Sequence, residues 1–123
     1  MTDLSKYLST FLLEYLPNER RASPRTRETY AYAFQLLVCF VADRMKIPPS
    51  KLKIEHLDVS LIVDFLNHLE IDRNNSPRTR NARSAAIKAF FRFLEYRLVS
   101  CLDQSRRIHA SSMKKPMKNW YAI

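Results

Sequence analysis

The chain contains no glycine among its 123 residues. A glycine-rich phosphate loop of either common kind is therefore excluded. Left-handed backbone at helix ends must fall on Asn, Asp or other polar residues, and Asn74-Asn75 is one such place. Cysteine is nearly as scarce, with only Cys39 and Cys101. Two cysteines make no disulfide scaffold, so a reducing, cytoplasmic setting is expected. Cys39 sits inside an apolar helical run and reads as a buried thiol. No run of about 18 apolar residues exists to span a bilayer, and the N-terminus lacks a basic-then-apolar signal pattern. No segment alternates in the manner of a strand.

Acids are in short supply. Twelve Asp and Glu stand against 21 Lys and Arg, giving a formal net charge of +9 and a pI near 9.9. Such a balance points to a polyanionic partner, nucleic acid first and an anionic membrane surface second. The bases gather in residues 17–49 and 73–123, whereas 50–72 is net acidic. Hydrophobic residues make up 46% of the chain, enough for one folded domain.

What the chain does have is a repeat. Ser-Pro-Arg-Thr-Arg occurs at Ser23–Arg27 and again at Ser76–Arg80, each time before a long segment of helical periodicity. Ser is a good N-cap and Pro fits the first helical position. Arg at the second and fourth positions opposes the helix dipole, which favours acids there. Two cations beside free N–H groups form an anion cradle. Arg25, Arg27, Arg78 and Arg80 are therefore candidate phosphate contacts, with Thr26 and Thr79 as hydroxyl donors or, equally, as local caps.

The periodicity predicts an all-α fold, a compact bundle of four main helices forming two hairpins packed at an angle, plus a short fifth helix. The first helix is expected over Asp3–Leu16, ended by Pro17-Asn18. The second runs from the first repeat to about Met45, with Pro48-Pro49 blocking continuation. Residues 50–57 read as a connection. Asp58 caps a third helix, Val59 to about Ile71, whose Asp64, Asn67 and Glu70 face out and which carries no Lys or Arg. The fourth runs from Pro77 to about Leu98, with Ala82, Ala86, Phe90, Phe93 and Leu94 facing inward. Leu102 to about His109 forms the fifth.

Arg83, Lys88 and Arg92 fall near one face of the fourth helix, a form suited to a major groove; without other information this is simply a solvated face. Lys114 and Lys115 lie in a basic tail. His56, His68 and His109 have no metal-ligand spacing with the cysteines, and no cofactor is expected.

Ser76 through Leu94 resembles the last long helix of the core-binding (SAM-like) domain of tyrosine recombinases, the phage-integrase family. The first repeat with Thr29-Tyr30 and Phe34–Phe40 resembles that domain's second helix, and Leu57–Leu69 its third. The resemblance implies a domain whose second and fourth helices face duplex DNA and whose first and last helices meet neighbouring protomers. Lys88 matches a DNA-facing basic position of the family. Met113–Lys118 resembles the basic linker to a catalytic domain. The family's catalytic Arg, Lys, His-x-x-Arg, His or Trp, and Tyr have no counterpart here, and Tyr121 lacks their context. The expectation is a DNA-binding domain over 1–110 and a basic tail over 111–123, from a truncated site-specific recombinase with no catalysis of its own. The competing readings are a helical protein-interaction module and a small free-standing DNA-binding regulator.

Overall fold

The computed structural model describes residues 3–98 and 102–110. Five α-helices appear: α1 (Leu4–Thr10), α2 (Pro24–Met45), α3 (Val59–Ile71), α4 (Pro77–Arg97) and α5 (Leu102–Ala110). Among the described residues there is no β-strand, only an isolated bridge between Asp3 and Lys53. The all-α expectation is met. Successive elements pack on one another, the Phe11–Glu19 segment on α2 and α3 on α4, while α4 also touches α2 and α5.

The start of the chain departs from the expected single α-helix. After α1 the chain continues through Phe11–Glu19 as a π-helix with Pro17 inside it. The wider turn accommodates a proline ring that would clash with the carbonyl four residues back in an α-helix. It also sets Phe11 and Leu16, five residues apart, on the buried side. The Arg20 N–H donates to the Tyr15 carbonyl at 3.0 Å, and left-handed Arg21 then turns the chain toward α2. The other left-handed residues are Lys46, which ends α2, and Asn74, in the α3–α4 connection. Only Asn74 falls at the expected pair; without glycine, Arg21 and Lys46 carry the steric cost of a Cβ in this conformation.

One cluster forms the core. Phe11 is its hub, with ring centroids 5.3 Å from Phe93, 5.4 Å from Phe90, 5.7 Å from Tyr15 and 6.0 Å from Phe34. That single side chain joins the π-helix to α2 and α4. The connection between α2 and α3 is not a surface loop. It makes two 3₁₀ turns, Pro49–Lys51 and Ile54–His56, and buries Leu52, Ile54 and Leu57 completely. Backbone this deep must find partners. Leu52 C=O accepts from the Leu4 N–H at 3.1 Å, and the Gln104 amide of α5 donates to Ile54 C=O at 2.8 Å and Leu57 C=O at 2.7 Å. The buried Ser105 hydroxyl donates to the Glu95 carboxylate at 2.6 Å, fastening α5 to α4.

Two expectations about faces are corrected. Cys39 is exposed, because the inward stripe of α2 runs through Ala33, Phe34, Leu37 and Val41 and leaves position 39 outside it. Ala82 is exposed as well, and Ser84 takes the buried place on α4. Cys101, Lys114, Lys115 and Tyr121 lie outside the described residues.

Candidate nucleic-acid interface

The two repeats fold alike. Ser23 and Ser76 are extended N-caps, with φ/ψ of −65/158° and −69/161°. Each serine oxygen accepts from the N–H of the threonine three residues on, at 3.1 Å from Thr26 and 3.2 Å from Thr79. Each serine hydroxyl in turn donates to that threonine's hydroxyl oxygen, at 3.0 and 3.2 Å. The threonines thus build the cap and keep a hydroxyl proton for an outside acceptor. The N–H groups of Arg27 and Arg80 are taken by the carbonyls of Ser23 and Ser76. Because Pro24 and Pro77 have no N–H, the first-turn donor that helix geometry leaves over is the Arg25 amide in one copy and the Arg78 amide in the other. The expected cradle of several amides reduces to one amide per copy, plus the guanidinium carried by the same residue.

The arginines divide by position. Arg25 and Arg78, second in each helix, are exposed. Arg27 and Arg80, fourth, turn inward. Arg27 is half-buried along a groove between α1 and α2, its Nε shielded without a hydrogen-bond partner. Arg80 is 7% exposed, and its Nε lies 3.2 Å from a Glu70 carboxylate oxygen on α3. Of the four candidate phosphate contacts, Arg80 is instead held by Glu70, an acid that helical periodicity assigns to the outside of α3. The repeat presents charge at its second position and packs at its fourth.

Farther along α4, Arg92 is exposed, and the expectation that Arg83, Lys88 and Arg92 share a face is corrected: in a regular helix Arg92 lies about 180° around from Arg83 and Lys88 about 140°. Lys88 is half-buried, and desolvation pushes its ammonium pKa below the ordinary lysine value. Other helical arginines are neutralised: Arg44 pairs with Asp64 on α3, and Arg97 with Glu19 at 3.4 Å while lying over the Phe93 ring.

Arg83 has different company. Its guanidinium lies 5.1 Å from the ring centroid of Tyr32 on α2, and the Tyr32 hydroxyl accepts from Arg73 Nη2 at 3.5 Å. Arg73 and Tyr32 were not picked out by motif, although Arg25, Thr29 and Tyr32 share one face of α2 at helical spacing. This contact fixes the geometry of the two helix starts. Tyr32 is eight residues from the start of α2, and Arg83 six from the start of α4. At 1.5 Å per residue that is about 12 Å and 9 Å of helix. The two starts therefore lie within roughly 30 Å of each other, inside the 34–36 Å of about one DNA helical turn.

Among the described residues no group of three His, Cys, Asp or Glu side chains could hold a metal ion, and no helix is long and apolar enough to cross a membrane. Asp58 caps α3, accepting from the Leu61 N–H at 2.8 Å. A groove of about 670 Å³ between α1, the π-helix and α2 is lined by Leu4, Leu8, Leu12, Leu13, Ala31 and Val38, among others.

Comparison with known proteins identifies the family. Two proteins of Sinorhizobium fredii (strain NBRC 101917 / NGR234) are similar to this chain. "Putative integrase/recombinase y4rC" is 38% identical over 112 residues, covering 91% of this chain and 34% of that protein. "Putative integrase/recombinase y4rD" is 42% identical over 88 residues, covering 72% of this chain and 31% of that protein. The chain thus spans about a third of the length of these curated relatives. No solved structure matches it significantly. The family model for the phage integrase N-terminal SAM-like domain matches residues 10–98, which takes in the π-helix, both repeats and the Tyr32–Arg83 contact, and the chain belongs to that family.

Proposed function

We propose that this chain is a DNA-binding arm of an integrase or recombinase, gripping duplex DNA along the starts of α2 and α4. The observation that carries the reading is the pair of like-folded Ser-Pro-Arg caps. They present exposed Arg25 and Arg78 on two helices joined at Tyr32 and Arg83. Each cap offers a phosphate one amide, one guanidinium and the hydroxyl of Thr26 or Thr79. Arg27 and Lys88, both half-buried, lie farther along the same helices. Arg80 acts by holding α4 to α3. Acidic α3, free of Lys and Arg, is unsuited to DNA.

In this reading the domain over residues 1–110 binds and positions, and the tail over 111–123, with Lys114 and Lys115, adds phosphate contacts. The strand-cutting chemistry of an integrase belongs to residues outside this arm. The groove beside α1, with Leu13 74% exposed, offers an apolar surface for a neighbouring protomer.

Fluorescence anisotropy with a labelled 30-base-pair duplex, titrated across a salt series, tests the reading. About six phosphate contacts, from Arg25, Arg27, Arg78, Lys88, Lys114 and Lys115, give a log–log salt slope near −5.4. Substituting Arg25 and Arg78 by Ala together is expected to bring the slope to about −3.6, at every duplex sequence. An affinity that ignores salt, or a double variant that binds as the parent does, refutes it. If duplex DNA is not bound at low salt, the protein-interaction reading takes its place.

A further inference from the structure

Arg83 is placed for more than charge. Four other helical arginines, Arg44, Arg80, Arg97 and Arg107, each pair with a carboxylate. Arg83 instead lies against the ring of Tyr32, which is itself 44% exposed. Its Nε is shielded and lacks a hydrogen-bond partner. From the other side Arg73 holds the Tyr32 hydroxyl. A guanidinium over an aromatic face keeps its full charge, loses rotamer freedom, and presents its N–H edge in a fixed plane. Such a planar fork matches the O6 and N7 acceptors of guanine as well as two oxygens of a phosphate, so position along the helix has to separate the two.

Position along α4 favours the base as well. Arg78 stands at the helix start, and Arg83 follows five residues later, about 7.5 Å along the axis. The major groove is about 12 Å wide. Five residues also turn Arg83 about 140° around the helix from Arg78, so a helix lying along the groove can reach a phosphate at the rim with Arg78 and face the base edges with Arg83.

We propose that Arg83, held against the Tyr32 ring, is a specificity-determining residue that reads a guanine edge in the major groove. The proposal rests on the DNA-binding reading above and deepens it, adding base discrimination to phosphate contact. Tyr32 is then a positioning residue, and Arg73 orients Tyr32.

The test is selection of bound duplexes from a library of 30-base-pair DNA with a randomised core, using the full 123-residue chain, then anisotropy on the selected duplex and its single-base variants. The wild type is expected to prefer G·C at one position by roughly ten-fold or more. Arg83→Lys keeps the charge but not the fork, and is expected to remove that preference while leaving the salt slope unchanged. Tyr32→Ala is expected to weaken the same preference at the same position, and Tyr32→Phe to weaken it less. Circular dichroism checks that each variant folds. A wild type that binds DNA without base preference, or an Arg83→Lys variant that keeps it, overturns the proposal while the DNA-binding reading stands. A wild type that binds no duplex overturns both, and does so before any variant is made.

Discussion

Replacing Arg80 with Met separates an arginine that packs α4 against α3 from one proposed to touch DNA. Arg80 is 7% exposed, and the Glu70 side chain opposite is 22% exposed. Removing one partner of a fully buried ion pair costs about 3–5 kcal/mol, chiefly because a charge is left unpaired. Two features lower that figure here. Glu70 retains some access to water, and the 3.2 Å approach of Arg80 Nε is a charge contact rather than a well-aligned hydrogen bond. Met also refills part of the arginine stem's volume. The expected destabilisation is about 2 kcal/mol, or roughly 8–9 °C in Tm for a domain of this size. Changing Glu70 to Leu as well removes the carboxylate that has lost the Arg80 charge, so the double variant is expected to recover part of the loss. Urea and thermal unfolding followed by circular dichroism measure both quantities. DNA titration supplies the contrast: Arg80→Met at a temperature where it is folded keeps the wild-type salt slope, while Arg78→Ala loses about 0.9 of it. An Arg80→Met protein of undiminished stability with a flatter salt slope would show that Arg80 reaches phosphate, and the division of the repeat into presenting and packing positions would be wrong.

Phe11→Ala empties the hub of the aromatic cluster and is expected to cost about 3–5 kcal/mol, leaving a chain without cooperative thermal unfolding by near-UV circular dichroism. Gln104→Ala takes a donor from the Ile54 carbonyl, which keeps the Leu57 N–H, and from the Leu57 carbonyl, and should lower stability by about 1–2 kcal/mol in urea titration, with faster tryptic cleavage after Arg106 and Arg107. Cys39, exposed on α2, is expected to react with a thiol reagent at the rate of a free surface cysteine under native conditions, read by mass spectrometry with the labelled site mapped; protection until the protein unfolds would contradict its placement.

The helices with strong local punctuation were legible from sequence. Ser-Pro at two starts, Asp58 before Val59, and Pro48-Pro49 after Met45 are all decided within a few residues, and α2, α3 and α4 fall where those signals put them. What failed depended on distant partners. Pro17 reads as a stop, yet the chain runs on as a π-helix because Phe11 and Leu16 both have core to bury against. Residues 50–57 read as a connection because they lack a helical period, while Leu52, Ile54 and Leu57 are driven inward by apolar burial alone. Local spacing could place Arg80 near the start of α4, but not Glu70 beside it, since that pairing depends on how α3 meets α4. The Tyr32–Arg83 contact is hidden for the same reason, joining residues 51 apart in the chain.

The buried Leu52–Leu57 segment has a mechanical meaning. Its carbonyls receive the Leu4 N–H from one end of the described chain and the Gln104 side chain from near the other, and Lys53 meets Asp3 at 3.4 Å. Tension applied between the ends of the domain is therefore borne first at this knot. The starts of α2 and α4 lie off that load path. A pull between the two ends would load the knot before it reached the starts of α2 and α4.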